Sequence, residues 1–203
     1  NNSIYFKGGS TISTISVTNN IFAKAEINED FPIPFAIYDL GQFLGGVSLF
    51  NNPSINFDNQ SYMTIKNGRS KVKYFFADPD VIAKPPEKDI QLPDHQFSFQ
   101  LTNDTLSHLI KGARVYQLTD MCLESEGGEV CLVVKDKEND TSNAVSYEVG
   151  QSEIPFKFNF KIENIKIIPG TYDVEISERV ARFCNNSLKL EYYIALEPDS
   201  TFG

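Results

Sequence analysis

The side chains that most often carry catalysis or bind metals are few in this sequence, and their spacing suits neither task. A zinc site needs a set of closely spaced ligands, and the chain has three cysteines, two histidines and no Cys-x-x-Cys pair. It also lacks a glycine-rich phosphate loop and a nucleophile elbow. We therefore predict no catalytic residue, no metal site and no cofactor, and expect reduced, structural thiols. The residues concerned are Cys122, Cys131, Cys184, His95 and His108, with scattered carboxylates such as Asp39, Asp78 and Asp120.

Two cations that could contact an anionic partner lie on the clearest helix that the sequence predicts, Asn103 to Tyr116. Its apolar stripe is made by Leu106, Leu109, Ile110 and Ala113. Lys111 and Arg114 fall on the opposite, polar face at a three-residue spacing. Cations placed in this way can contact phosphates, but they suit an ordinary solvated face equally well. The helix by itself leaves both interpretations open.

Composition and charge limit the classes of protein to which the chain can belong. The formal net charge of −9 argues against a protein that coats nucleic acid by bulk attraction, so any contact with DNA must be local. No run of about 20 apolar residues and no signal-peptide pattern occurs, and we expect a soluble protein. Because the sequence starts at Asn1 and not at a methionine, we also expect an N-terminal segment to be absent from it.

The elements around these residues predict an α+β fold with many short strands. The first half reads as strands separated by turn residues, with one short helix from Leu40 to Leu49 that Asp39 caps. Residues 78–94 contain four prolines and no periodicity, which is typical of an extended connector. The second half predicts strands, the helix described above, and a second short helix from Ile162 to Ile168.

The two halves repeat one order of elements, which indicates one kind of domain used twice. Ile33-Pro34-Phe35 and Ile154-Pro155-Phe156 each open a strand that leads into a short helix and then into three strands. We expect a first domain at residues 1–80, a connector at 81–94 and a second domain at 95–203. On this pattern the first domain lacks a counterpart of the helix from Asn103 to Tyr116, which the absent N-terminal segment would supply.

Several stretches resemble the DNA sliding clamps of T-even-type bacteriophages, in order and over essentially the whole chain. They are AIYDLGQFLGGVSL at residues 36–49, ADP at 77–79, PG at 169–170 and YIALEPDST at 193–201. The resemblance implies a homotrimeric, pseudo-sixfold ring of similar domains around double-stranded DNA, with no active site. It implies an ATP-driven clamp loader and a replicative DNA polymerase as partners, no membrane, and the cytoplasm of an infected bacterial host as the location.

The resemblance also implies three functional surfaces. DNA-facing positions are Lys111, Arg114, Lys166 and, with weaker support, Lys161. Subunit contacts are expected from two edge strands, Arg69 to Phe76 and Asn143 to Gly150, through Arg69, Lys71, Val72, Tyr74, Phe76, Val145, Tyr147 and Val149. A pocket for partner tails is expected from Val81, Ile82, Ile90, Leu92, Ala195, Leu196 and Pro198. Each set also has a plain structural interpretation, as solvated charges, internal strands or a connector held against its sheet.

Two other classes of protein stay open from the residues alone. A β-rich viral structural or surface protein would suit the many short strands, the turn residues and the acidity. An enzyme whose site no motif reveals is the second. Neither accounts for a resemblance that runs from one end of the chain to the other.

Overall fold

The computed structural model describes residues 2–87, 90–92 and 94–203, and the chain divides into two compact units, residues 1–89 and 90–203. The division falls within the proline-rich segment at 78–94. All strand pairs within the two units are antiparallel. The predicted α+β class is confirmed.

In the residues that the structure describes, the first unit contains strands of 3 to 11 residues and one α-helix. β1 pairs with β4, β2 pairs with β3, and β5, β6 and β7 form a three-stranded sheet in that order. Its turns follow the sequence signals: the β6–β7 hairpin closes through Gly68 at a φ of 59°, which glycine adopts without steric cost. The elements are β1 (Ile4–Phe6), β2 (Gly9–Ile15), β3 (Ile21–Phe31), β4 (Phe35–Ile37), α1 (Leu40–Ser48), β5 (Ser54–Asn56), β6 (Tyr62–Asn67), β7 (Ser70–Phe75) and a 3-10 turn at Pro79–Val81.

The core of the first unit is small and aromatic. Phe6 stacks on Phe35 with ring centroids 4.4 Å apart, and Ile37, Met63 and Ile65 are buried beside them. Helix α1 begins as predicted, because the Asp39 carboxylate accepts a hydrogen bond from the backbone N–H of Gln42. Phe43 and Val47 then pack against the buried cluster, which explains why this glycine-rich segment stays helical.

The second unit contains two sheets and one long helix. One sheet has the order β11-β10-β9-β12-β16, and β8, β13, β14 and β15 pair in sequence in the other. The elements are β8 (Phe97–Leu101), α2 (Asn103–Tyr116), β9 (Asp120–Ser125), β10 (Gly128–Lys135), β11 (Val145–Ser152), β12 (Phe156–Lys161), a 3-10 turn at Ile162–Asn164, β13 (Tyr172–Ile176), β14 (Val180–Asn185), β15 (Leu190–Ala195) and β16 (Thr201–Phe202).

The two helix predictions in this unit have different outcomes. Helix α2 spans the predicted residues; the Thr102 hydroxyl caps its first turn, and Gln117 in the left-handed region at a φ of 54° ends it. The predicted helix at 162–168 is wrong beyond Asn164, because only a 3-10 turn forms there. Ile165, Ile167 and Ile168 are β-branched, and Pro169 disfavours a helical conformation at the residue before it.

Candidate functional surfaces

Helix α2 has a buried apolar face and an exposed face that carries charged side chains. Leu106, Leu109 and Ala113 are buried, and the helix packs on β10 and β11. Gly112 allows this close approach, since a Cβ atom built there would lie 2.8 Å from Cγ2 of Val145 on β11. Lys111 and Arg114 are both exposed. The fold therefore fixes the backbone that carries the two cations and leaves their side chains free to meet a partner.

A third predicted cation lies near the end of this helix. Arg114 and Lys166 line one cleft of about 430 Å³, whose floor includes Ile110, Leu118 and Ile165. Lys166 is exposed and follows the 3-10 turn, so a turn and not the predicted helix positions it. The structure thus brings Arg114 and Lys166 together from two separate elements.

Lys161 has a different environment from the other three cations. Its ammonium lies 2.6 Å from a carboxylate oxygen of Asp120, whose side chain is only 1% exposed. Burial alone would raise the pKa of Asp120, but hydrogen bonds from Lys161, the Thr119 hydroxyl and the Lys137 backbone N–H lower it instead. The same hydrogen bond raises the pKa of Lys161. The prediction for Lys161 remains a prediction, and the structure adds that its charge is paired with a carboxylate within the fold.

The ion pair between Asp120 and Lys161 belongs to a network that the sequence did not reveal. The two residues lie directly opposite each other on β9 and β12, although 41 positions separate them in the chain. Close by, Lys137 binds Asp199 at 2.6 Å, and the backbone N–H of Asn159 donates to the Ser200 hydroxyl. These bonds attach the segment before β16 to the sheet. No spacing pattern signals them, because each depends on strand register.

The two strands predicted to contact neighbouring subunits both lie at sheet edges within the described part of the chain. On β7, Val72 and Tyr74 pack with Phe76 against the buried cluster of their own unit, so these side chains face inward. Arg69 lies in the hairpin turn, and Lys71 is exposed. On β11, Val145 and Val149 are half-buried, whereas Tyr147 is 48% exposed. Both edges keep backbone groups available for another strand.

Two of the residues predicted to form a partner pocket share a described cavity. Ile90 and Leu92 line a cavity of about 400 Å³ in the second unit, where Arg182 and Tyr193 also lie. Arg182 makes ion pairs with both Glu175 and Glu191. Ala195 is half-buried, Leu196 buried and Pro198 exposed, and none of the three is among the described lining residues; Val81 and Ile82 belong to the first unit.

The described residues give little support for a metal site, a reactive thiol or a membrane-spanning helix. Within 2–87, 90–92 and 94–203, no group of three His, Cys, Asp or Glu side chains could hold a metal ion. Burial raises the pKa of the Cys122 thiol to about 11, which keeps it protonated and unreactive at neutral pH. None of the helices in these ranges has the length and apolar character needed to cross a membrane.

Comparisons with known proteins agree on one family. A family model described as "gp45 sliding clamp, C terminal" matches residues 98–198. The chain is 30% identical to the protein named Sliding clamp of Vibrio phage KVP40, over 97% of this chain and 91% of that relative. It is 28% identical to the Sliding clamp of Enterobacteria phage T4, over 99% of this chain and 91% of that relative.

Solved structures share the fold at much lower sequence identity. The pol III beta protein of Caulobacter crescentus matches with a TM-score of 0.70 at 12% identity, over 97% of this chain and 58% of that one. The structure described as the C-terminal region of FEN-1 bound to A. fulgidus PCNA contains a chain that matches with a TM-score of 0.69 at 12% identity, over 98% of this chain and 90% of that one. At such identities the likeness concerns the fold alone.

Proposed function

This chain belongs to the family of phage DNA sliding clamps, and on that premise we propose that three copies close head to tail into a ring that encircles duplex DNA. The protein is a DNA polymerase sliding clamp, a processivity factor in DNA replication and not an enzyme. An ATP-driven clamp loader opens and closes the ring, and the site of action is the cytoplasm of an infected bacterial host.

One observation supports the proposal of a DNA-facing surface: two separate elements bring exposed cations to one cleft, on a chain whose net charge is −9. Lys111 and Arg114 stand on the outer face of α2, and Lys166 shares a cleft with Arg114. Sparse cations suit a clamp, because it must let DNA slide and needs attraction to phosphates without readout of bases. Lys161 contributes little here, since Asp120 neutralises it.

Closure of the ring requires one edge strand to meet another edge strand on the next copy. β7 and β11 are edges of different sheets in different units, which supports a heterologous, head-to-tail contact. In the tethered complex, a tail of the polymerase binds beside Ile90 and Leu92. Their cavity supports a tail that has both apolar and polar side chains, because Asp94, Glu175 and Arg182 also line it.

The test uses the full chain, a clamp loader, a replicative polymerase and primed circular DNA. We expect Lys111→Ala/Arg114→Ala/Lys166→Ala to form trimers as the wild type does but to shorten polymerase products about tenfold, because phosphate contacts inside the ring are lost. Native mass spectrometry measures assembly, and product length measures processivity.

Arg179→Ala is the matched control, since Arg179 is an exposed cation in the β13–β14 turn. It should leave product length unchanged. A wild-type chain that stays monomeric at high concentration, or a triple variant with full processivity, would contradict the proposal.

A further inference from the structure

The β6–β7 hairpin carries a local excess of positive charge. Residues 62–76 contain Lys66, Arg69, Lys71 and Lys73 and no acidic residue, in a chain whose net charge is −9. Lys66 and Lys71 are directly opposite each other on the two strands, an arrangement that destabilises a hairpin in isolation. Among the described residues, none of these four cations makes an ion pair with a carboxylate. Such a surface fits an anionic partner.

The charges occupy one face of β7. Lys71, Lys73 and Phe75 are exposed, whereas Val72 and Tyr74 alternate with them and pack toward the core of the unit. The ammonium of Lys73 lies over the Tyr62 ring at 3.8 Å from its centroid and 4.8 Å from that of Phe75. These contacts hold the lysine on the outer face beside the free strand edge.

The edge strand β11 presents one exposed carboxylate, Glu148, beside others from β10 and the turns. Residues 124–134 and 145–153 contain five glutamates, Glu124, Glu126, Glu129, Glu148 and Glu153, and Lys135 on β10 pairs with Glu124 at 2.7 Å, which leaves the other four. Glu148 is exposed and pairs across the sheet with Cys131, whose thiol donates to Glu129 at 3.1 Å. Glu129 and Glu148 therefore lie close together on the outer face. Tyr147, the residue before Glu148, points to the other face of the sheet, where its cross-strand neighbour Leu132 is buried.

The alternation of the two strands restricts how they can pair. We propose that β7 of one copy adds antiparallel to β11 of the next with Lys73 opposite Glu148, and this rests on the proposed ring. In that register Tyr74 faces Tyr147 on the core face and Lys73 faces Glu148 on the outer face. Beyond Glu148 the β-bulge at Val149 interrupts the regular alternation of β11. A slip of one residue places Lys73 against Tyr147 and buries charge against an aromatic ring.

A groove beside β7 supports the same register. It has a volume of about 420 Å³ and is lined by Tyr38, Asp39, Gln42 and residues 73–77. Tyr147, which is 48% exposed in its own unit, stands opposite Tyr74 and can enter this groove from the next copy. Insertion of Tyr147 beside the pair of Lys73 and Glu148 would give the contact between the two copies both affinity and a defined strand register.

The experiment measures trimer formation of the full chain by sedimentation velocity and native mass spectrometry at low and at high salt. We expect Lys73→Glu and Glu148→Lys each to raise the trimer dissociation constant by about tenfold or more at low salt. The combined Lys73→Glu/Glu148→Lys variant should return to within about threefold of the wild type. High salt should reduce all of these differences, because the charges are near solvent.

Arg179→Glu is the control for Lys73→Glu, since it changes net charge by the same amount at an exposed turn that belongs to neither edge strand. Circular dichroism confirms that each variant is folded. Equal effects of Lys73→Glu and Arg179→Glu overturn the inference, as does a combined variant that stays dissociated.

Other outcomes are equally decisive for this register. If Glu148→Lys restores trimer formation of Lys71→Glu but not of Lys73→Glu, the strands pair in a register shifted by two residues from the proposed one. A Lys73→Glu variant that forms trimers normally but loses retention on circular DNA shows that the hairpin contacts DNA, and it also overturns the inference. A wild-type chain that never forms trimers removes the proposed ring itself, which distinguishes the two failures.

Discussion

Asp120 is the most completely buried carboxylate in the described part of the chain, with 1% of its side chain exposed. It accepts hydrogen bonds from Lys161, Thr119 and the backbone N–H of Lys137. A buried charge is strongly destabilising when it loses its partner, even where the intact pair contributes little net stability. Asp120 on β9 therefore stabilises the end of β12, where Lys161 lies. The segment that contains the predicted DNA-facing Lys166 begins there.

We expect Asp120→Asn to lower the free energy of unfolding by roughly 1–3 kcal/mol, because the ammonium of Lys161 loses its counter-ion but can still reach water. The pKa of Asp120 is lowered in the folded state, so its contribution to stability is fully present above the unfolded pKa of about 3.9 and is lost progressively as the pH falls from there through the lower folded pKa. Urea unfolding of both proteins between about pH 7 and pH 3 measures this difference.

Lys161→Met with and without Asp120→Asn completes a double-mutant cycle for this pair. The double variant should be more stable than the sum of the two single losses predicts, because neither charge is left alone. Additive losses, or an Asp120→Asn difference that persists unchanged at pH 3, would contradict the assigned ion pair.

At the scale of elements, the contact of α2 with the edge strand β11 depends on the absence of a side chain at residue 112. An ideal Cβ there lies 2.8 Å from Cγ2 and 3.3 Å from Cβ of Val145. Valine is β-branched and has few alternative rotamers, so it cannot swing aside without moving the strand. The same packing positions Lys111 and Arg114 on the helix and fixes the edge that we assign to the subunit contact.

Gly112→Ala should lower the free energy of unfolding by about 1 kcal/mol or more, although alanine is the better helix former, because overpacking against Val145 exceeds the gain in propensity. Thermal and urea unfolding measure this change. Gly45→Ala in α1 is the control, since nothing lies within 4 Å of the added atom, and we expect it to be neutral or stabilising.

Combining Gly112→Ala with Val145→Ala removes the clash and should make the alanine at residue 112 favourable relative to Val145→Ala alone. If Gly112→Ala instead stabilised the protein as Gly45→Ala does, the close approach of α2 to β11 would be incorrect.

At the scale of the whole molecule, opposite charges are separated into distinct surfaces. The net charge is −9, yet exposed cations gather on α2, at Lys166 and on the β6–β7 hairpin. Exposed carboxylates lie in the β9–β10 hairpin, at Glu126 and Glu129, and on β11 at Glu148. Because of this separation, the edge strand β7 of one copy can attract the edge strand β11 of another copy. The net negative charge of the chain disfavours contact with DNA elsewhere on the surface.

We expect the unclosed protein to bind linear duplex DNA weakly, with a Kd above about 0.1 mM at physiological salt, because a few local cations oppose a large negative net charge. Fluorescence anisotropy with a short labelled duplex measures this affinity. After loading, the protein should remain on closed circles and leave linear DNA by its ends. Tight binding of the monomer to linear DNA would show that attraction, and not enclosure, holds the complex together.

The local features of the fold could be predicted from the sequence, because they depend on residues close together in the chain. Helix α2 and the polar position of Lys111 and Arg114 follow from a 3.6-residue period, and the β6–β7 hairpin follows from Asn67-Gly68. The basic composition of that hairpin was also present in the sequence, and the resemblance implied an edge strand there, but which of its side chains face outward depended on the packing of Val72 and Tyr74.

The sequence by itself determined the family, the α+β class and the helix that carries the candidate DNA contacts. Only the tertiary structure decided that Lys161 is neutralised by Asp120, that Gly112 admits Val145, and that residues 165–168 are not helical. Each of these depends on strand register or on packing between distant segments. The hydrophobic periodicity of one segment does not indicate which side chains of a distant segment will pack against it.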